Sequence, residues 1–270
     1  MLRLERSADD LAVPAEGSLR DRVVLITGAT GGLGRASALA AAAAGATVVL
    51  LGRKVRALEA VYDGIETAGG ATPALYPMDL AGATPKDYAD LATAIERECG
   101  HLDGIVHAAA HFDTLQPFEQ QSPEEWNRAL HVNLTAPFLI TQACLPALRS
   151  RPDAAIVFVL EDPARVGNAY WGGYGVSKHG LQGLASIVHE ETESTNVRTH
   201  ALLPGPMRTT LRRAAYYGED TMAQPDPAHA AQAVAWLLGA DAACMRGKVL
   251  DLRDGIHASS RSGERLSEPV

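Results

Sequence analysis

Tyr174 and Lys178 stand four residues apart, a spacing that puts two side chains on one face of a helix. A free phenol has a pKa of about 10, too high for efficient proton exchange at neutral pH. A neighbouring ammonium favours the phenolate and draws the pKa toward the working range. The pair therefore suits acid–base work, although on its own it also fits an ordinary surface pair. A second group lies earlier, in Thr27-Gly28-Ala29-Thr30-Gly31-Gly32-Leu33-Gly34. Glycines let the chain turn sharply, and let the N–H groups of a helix start approach a pyrophosphate closely. A plain strand–helix turn would use glycine too. The position of this loop, after the first apolar strand and before an Ala-rich helix, favours nucleotide binding. Gly28, Thr30, Gly32, Leu33 and Gly34 are its candidate contacts.

The end of the next strand bears on which nucleotide. Where an NAD site wants a carboxylate for the ribose 2′-hydroxyl, the chain has Gly52, then Arg53, Lys54 and, a turn later, Arg56. Guanidinium pairs bidentately with a 2′-phosphate, so NADP(H) is favoured over NAD(H). A solvated basic helix start is the alternative, poorly placed against the helix dipole.

These groups need a frame. Strands are expected at Val23–Thr27, Thr47–Leu51, Pro73–Met78, Gly104–Ala108, Ala155–Leu160, Arg198–Leu203 and Lys248–Leu252. Helices are expected over about 33–44, 54–67, 85–99, 123–149, 174–194 and 227–239. Several strands are apolar throughout, as parallel strands covered on both faces must be. The alternation predicts an α/β fold: one Rossmann-like, doubly wound parallel sheet of about seven strands with helices on both faces. Ligands then bind at the carboxyl ends of the strands. Residues 1–20 read as a polar, loosely held extension, 21–258 as a single domain and 259–270 as a tail.

The 270-residue chain carries 24 Lys plus Arg against 32 Asp plus Glu, a formal charge of -8. That balance lacks the basic footprint of a nucleic-acid binder. Its three cysteines, Cys99, Cys144 and Cys244, form no CxxC pair and argue against a disulfide framework. The charged N-terminus has no signal-peptide core. The apolar run from Ala36 to Leu51 is broken by Gly45 and falls short of a bilayer span. A cytoplasmic protein with no membrane partner is expected. His107 and His111 are four apart but straddle a strand end and have no evident third ligand. No metal is expected, and His107 reads as a strand-end histidine satisfied by backbone.

The glycine spacing is TGxxxGxG, with Gly28, Gly32 and Gly34 in its slots, and Tyr174-Gly175-Val176-Ser177-Lys178 is a YxxxK pair. Asp79 follows the third strand, Asn133 lies in a helix and Pro204-Gly205 follows the sixth strand. This ordered set, over roughly residues 21–252, resembles the short-chain dehydrogenase/reductase family. The resemblance implies that Tyr174 is the general acid/base, that Lys178 also holds the nicotinamide ribose, and that Asn133 positions a water in the proton relay. It places Asp79 and Leu80 at the adenine, Ala109 along the cofactor, Pro204 and Gly205 beside it, and Thr209 at the nicotinamide carboxamide. It implies a small-molecule carbonyl/alcohol substrate under a lid at 207–224, and a homodimer or homotetramer built on helices 123–149 and 174–194.

Two departures stand out. The family's Ser, about thirteen residues before the Tyr, is replaced by Glu161, followed by Asp162, and no Ser or Thr occurs from Ala155 to Gly173. A hydroxyl donates to a developing oxyanion, whereas an ionised carboxylate repels it. Glu161 either acts protonated, or turns away or pairs with Arg165. The family's Asn-Asn-Ala-Gly run is here His107-Ala108-Ala109-Ala110. On the substrate side, Trp171, Tyr170 and Tyr174 concentrate aromatic surface, and Arg208, Arg212 and Arg213 offer a receptor for an acidic substrate or simply a solvated face. The expected function is an NADP(H)-dependent oxidoreductase interconverting a carbonyl and an alcohol. The alternative is an NADP(H)-binding protein with little catalysis, acting as a sensor or structural subunit.

Overall fold

A computed structural model describes residues 3–6 and 13–253; the expected tail at 259–270 lies outside them. Eight strands form one sheet: β1 Arg3–Arg6, β2 Val23–Thr27, β3 Thr47–Gly52, β4 Ala74–Pro77, β5 Gly104–His107, β6 Ala154–Val159, β7 Val197–Leu203 and β8 Lys248–Asp251. Their order is β1-β8-β7-β6-β5-β2-β3-β4 and every pairing is parallel. The order reverses between β2 and β5, both of which start crossovers to opposite sides. That switch point opens a crevice at the strand ends. The seven expected strands are all present within a residue or so. The eighth, β1, falls inside the stretch read as a loose extension. Its sequence Arg-Leu-Glu-Arg is too short and too charged to stand out as a strand, and it pairs at the sheet edge beside β8.

The central strands β2 and β6 are buried at every position. One core layer packs α1 Gly32–Ala43, α2 Val55–Thr67 and α9 Pro227–Leu238 on one face of the sheet. The other face carries α3 Pro85–Cys99, α5 Ala136–Arg149 and α7 Gly172–Thr192. Local chemistry sets the helix ends. Thr84 and Asp87 form a reciprocal capping box at the start of α3, and Gly100 ends it with φ 81° in the left-handed region glycine tolerates.

The single helix expected over 123–149 is two helices, α4 Pro123–Leu130 and α5, joined by a π-helical turn at His131–Thr135. Pro137 accounts for the break. It has no N–H to donate, and its ring crowds the carbonyl four residues back, that of Asn133. Three short helices lie in the connections after β6 and β7: α6 Pro163–Val166, α8 Thr210–Ala215, which lines the crevice, and a 3-10 turn at Thr221–Ala223.

Candidate active site

A cleft of about 640 Å³ lies at the carboxyl ends of the strands. It is lined by Gly28, Thr30, Gly32, Leu33, Gly34, Arg53, Asp79, Leu80, Ala109, Glu161, Tyr174, Lys178, Pro204, Gly205 and Thr209. The sequence-expected residues thus converge on one place, with Asn133 alone set behind the wall.

The nucleotide end is shaped by what glycine lacks. Gly28 sits at φ 65°, and a Cβ there would fall 2.7 Å from the Ala109 Cα. A Cβ at Gly34 would fall 2.2 Å from the Gly28 carbonyl oxygen, and one at Gly32 would meet the Thr209 methyl at 2.6 Å. The first turn of α1 has no side-chain cap and no acidic residue, so its N–H groups are left for an anion. Thr27 ties the loop down: its hydroxyl donates to the Val106 carbonyl at 3.2 Å and accepts from the Ala108 and Ala109 N–H groups, both at 3.1 Å. At the end of β3, a Cβ on Gly52 would press on Leu58 at 3.1 Å and Thr30 at 3.4 Å, leaving little room for an acidic side chain. Arg53 lines the cleft, exposed and without an ion pair among the described residues. A phosphorylated dinucleotide fits this cradle.

At the reacting end, Tyr174 lies in the first turn of α7, nearly buried, and its hydroxyl donates to Glu161 Oε2 at 3.3 Å. Burial, then the Glu161 charge, pushes the phenol well above its ordinary pKa. The expected lowering of the phenol by Lys178 is therefore not found here. Lys178 Nζ donates to the Val159 carbonyl at 3.1 Å and stands 5.8 Å from the Tyr174 ring centre. Burial takes its ammonium down to about 8, against the opposing pull of Glu161. Glu161 neither turns away nor pairs with Arg165; it faces Tyr174. Asp162 turns aside to cap α6 and to pair with Arg253 at 2.8 Å.

Asn133 is fully buried in the π turn. Its Oδ1 accepts from the His111 N–H at 2.6 Å, and its Nδ2 donates to the His111 carbonyl and to Ser177 Oγ, both at 2.9 Å. Both amide hydrogens are thus committed to protein, and the side chain clamps the loop after β5 to α7. His107 also differs from expectation. Its Nε2 bonds the Thr141 hydroxyl at 2.9 Å instead of backbone, and its Nδ1 has no partner. His111 pairs with Glu125 at 2.7 Å. No group of three or more metal-ligating side chains occurs among the described residues.

The substrate end is a cluster of rings: Phe112 packs on Trp171 at 5.6 Å and on Tyr174 at 5.3 Å, and Trp171 meets Tyr174 at 5.7 Å and Tyr216 at 6.0 Å. Tyr170, expected here, is instead exposed and does not line the cleft. Phe112, Arg165 and Tyr216 have no spacing that singles them out as site residues, because they arrive from three separate segments, after β5, in α6 and just past α8. The suggested acidic-substrate receptor dissolves. Arg208 is paired with Asp226 at 2.6 Å, Arg212 is held by both oxygens of Glu219 at 2.6 Å, and Arg213 is exposed away from the cleft.

Residues 22–220 match the short chain dehydrogenase family model. An oxidoreductase of Escherichia coli K12, YciK, is 34% identical over 242 residues, covering 90% of this chain and 96% of that protein. A short chain dehydrogenase from Pseudomonas syringae superposes with a TM-score of 0.84 at 38% identity, over 93% of this chain and all of that one. One from Shigella flexneri, solved in complex with NADP, gives 0.84 at 33% identity over 87% and 98% of the two chains. On these matches, this chain belongs to the short-chain dehydrogenase family of oxidoreductases.

Proposed function

We propose that the protein is an NADP(H)-dependent oxidoreductase that interconverts a carbonyl and an alcohol on a small or medium-sized molecule. The observation that carries this is one cleft holding the Gly28–Gly34 cradle, an Arg53 with no ion pair among the described residues, and the Tyr174–Lys178 pair. NADP(H), when bound, supplies or accepts the hydride. The chain's own groups do the rest. Arg53 recognises the 2′-phosphate where Gly52 offers no carboxylate to repel it. Tyr174 passes the proton to or from the substrate oxygen, and the buried ammonium of Lys178 offsets charge as that proton moves. Phe112 and Trp171 exclude water and favour an apolar or ring-bearing substrate. Family-like assembly through α5 and α7 is consistent with exposed Phe138, Val176 and Ile187 on those helices.

The test is a fluorescence titration with both reduced cofactors. A charge-assisted phosphate contact is worth roughly 1.5–3 kcal/mol, so NADPH should bind about ten- to a hundredfold tighter than NADH. Arg53→Ala should erase that margin. Equal or tighter NADH binding, unchanged by Arg53→Ala, would overturn the assignment. A second reading, a cofactor-binding protein with weak catalysis, draws support from the Tyr174–Glu161 hydrogen bond, which turns the phenol proton toward a carboxylate. NADPH binding without turnover of any carbonyl would favour it.

A further inference from the structure

The cleft has a proton donor in Tyr174 but, on the Glu161 side, no group that can donate to an oxygen as charge builds on it. The opposite wall carries one. Tyr216, just past the end of α8, lines the cleft and packs on the same indole as Tyr174, with Trp171 between the two rings at 6.0 and 5.7 Å. Tyr216, Glu161, Trp171 and Tyr174 all line the same cleft, and the Tyr174 hydroxyl is 3.3 Å from Glu161.

Tyr216 is also held in an unusual way for a lid residue. Arg165 Nη1 donates to its hydroxyl oxygen at 3.2 Å. The Arg212 guanidinium stacks 3.9 Å from its ring centre and is itself fixed by Glu219. The phenol oxygen thus accepts from a cation, while no acceptor among the described residues takes its own hydrogen. A phenol with a guanidinium at its oxygen is a strong donor, here preorganised by Arg165 at its oxygen and Arg212 on its ring.

We propose that Tyr216 donates the hydrogen bond that stabilises the substrate oxygen, in place of the hydroxyl absent at Glu161, with Arg165 and Arg212 as its positioning residues. The proposal rests on the oxidoreductase reading above. It also narrows the substrate. An oxygen placed between Tyr174 and Tyr216 leaves its carbon substituent against Trp171 and Phe112, which suits an aryl aldehyde or aryl ketone.

The experiment is a double-substitution cycle on the full chain, with saturating NADPH and an activated aromatic aldehyde such as para-nitrobenzaldehyde. Tyr216→Phe keeps the ring and its stacking. It should lower kcat roughly a hundredfold, the usual scale for one oxyanion donor, with NADPH Kd and Tm unchanged. In the Glu161→Ser background the same change should cost less than about tenfold, because the introduced hydroxyl supplies the donor. A structural role alone would give equal losses in both backgrounds and would move Tm. Arg165→Met, which leaves the phenol in place but unanchored, should raise KM and lower kcat without altering NADPH Kd. If wild type turns over and Tyr216→Phe stays within about threefold of it, or the losses match in both backgrounds, the Tyr216 assignment is overturned alone. If wild type binds NADPH and reduces nothing, the oxidoreductase reading falls and takes this one with it.

Discussion

Glu161 meets Tyr174 at 3.3 Å and acts on both partners of the proton-handling pair: it raises the phenol and, by charge, raises Lys178 against the downward effect of burial. The signs fix a pH dependence. Lys178 gives up its proton as pH rises through about 8, so kcat/KM for carbonyl reduction should fall above that point. Glu161→Gln removes the charge that supports the ammonium, so the fall should begin at lower pH. Initial rates between about pH 6 and about pH 10 in both proteins check this. A break that stays in place in Glu161→Gln assigns it to another group. The glutamate's position was legible in the sequence by counting back from Tyr174, but its direction was not. Only packing shows that Arg165 is taken by Tyr216 and leaves Glu161 facing the phenol.

At the scale of elements, the strand–loop–helix unit of β2 and α1 is built on close backbone approach. Gly34→Ala would drive a methyl to 2.2 Å from the Gly28 carbonyl oxygen, a contact backbone cannot yield without opening the loop. The expected outcome is a stability loss of about 1–3 kcal/mol and a large loss of NADPH affinity, read by urea unfolding and by titration. Near-normal affinity would show that the cradle tolerates rearrangement. This unit was readable from sequence because its glycines are adjacent in the chain. The π turn was harder to read. Its signal is Pro137 placed four residues after Asn133, visible only once the two are understood as donor and acceptor of one missing helix bond. β1 carried no signal of its own, since four residues of alternating charge gain strand character only from pairing with β8.

Among the described residues, His107 and His200 are buried and neutral. His107 lies against Phe158 at 4.8 Å, and His200 accepts from Arg198 at 2.9 Å while donating to the Met245 carbonyl at 2.8 Å. Burial takes both down to about 3. Their folded values lie below the unfolded one of about 6.5, so stability is full above that pH and falls as the unfolded chain alone gains protons. At about 1.4 kcal/mol per unit for each residue, unfolding at pH 5 should cost roughly 4 kcal/mol less than at pH 7 from this pair. Denaturant titrations at the two pH values measure it, and a loss under about 1 kcal/mol would place the protons elsewhere. No helix among the described residues is long and apolar enough to cross a membrane. The parallel sheet itself was plain in the alternation of apolar runs with helical spans, whereas only the Trp171 and Tyr174 part of the aromatic substrate wall was, because Phe112 and Tyr216 join them only in the folded chain. The chemistry proposed for the cleft is transfer of a hydride and a proton, with Tyr174 handling the proton. The most direct measurement is NADPH oxidation against a panel of aldehydes and ketones, by wild type and by Tyr174→Phe, alongside NADPH Kd for each. Turnover by wild type, a loss of at least about a hundredfold in the variant and equal affinities are the expected outcome. A variant that keeps the wild-type rate, or a wild type that binds NADPH and reduces no carbonyl, would contradict it.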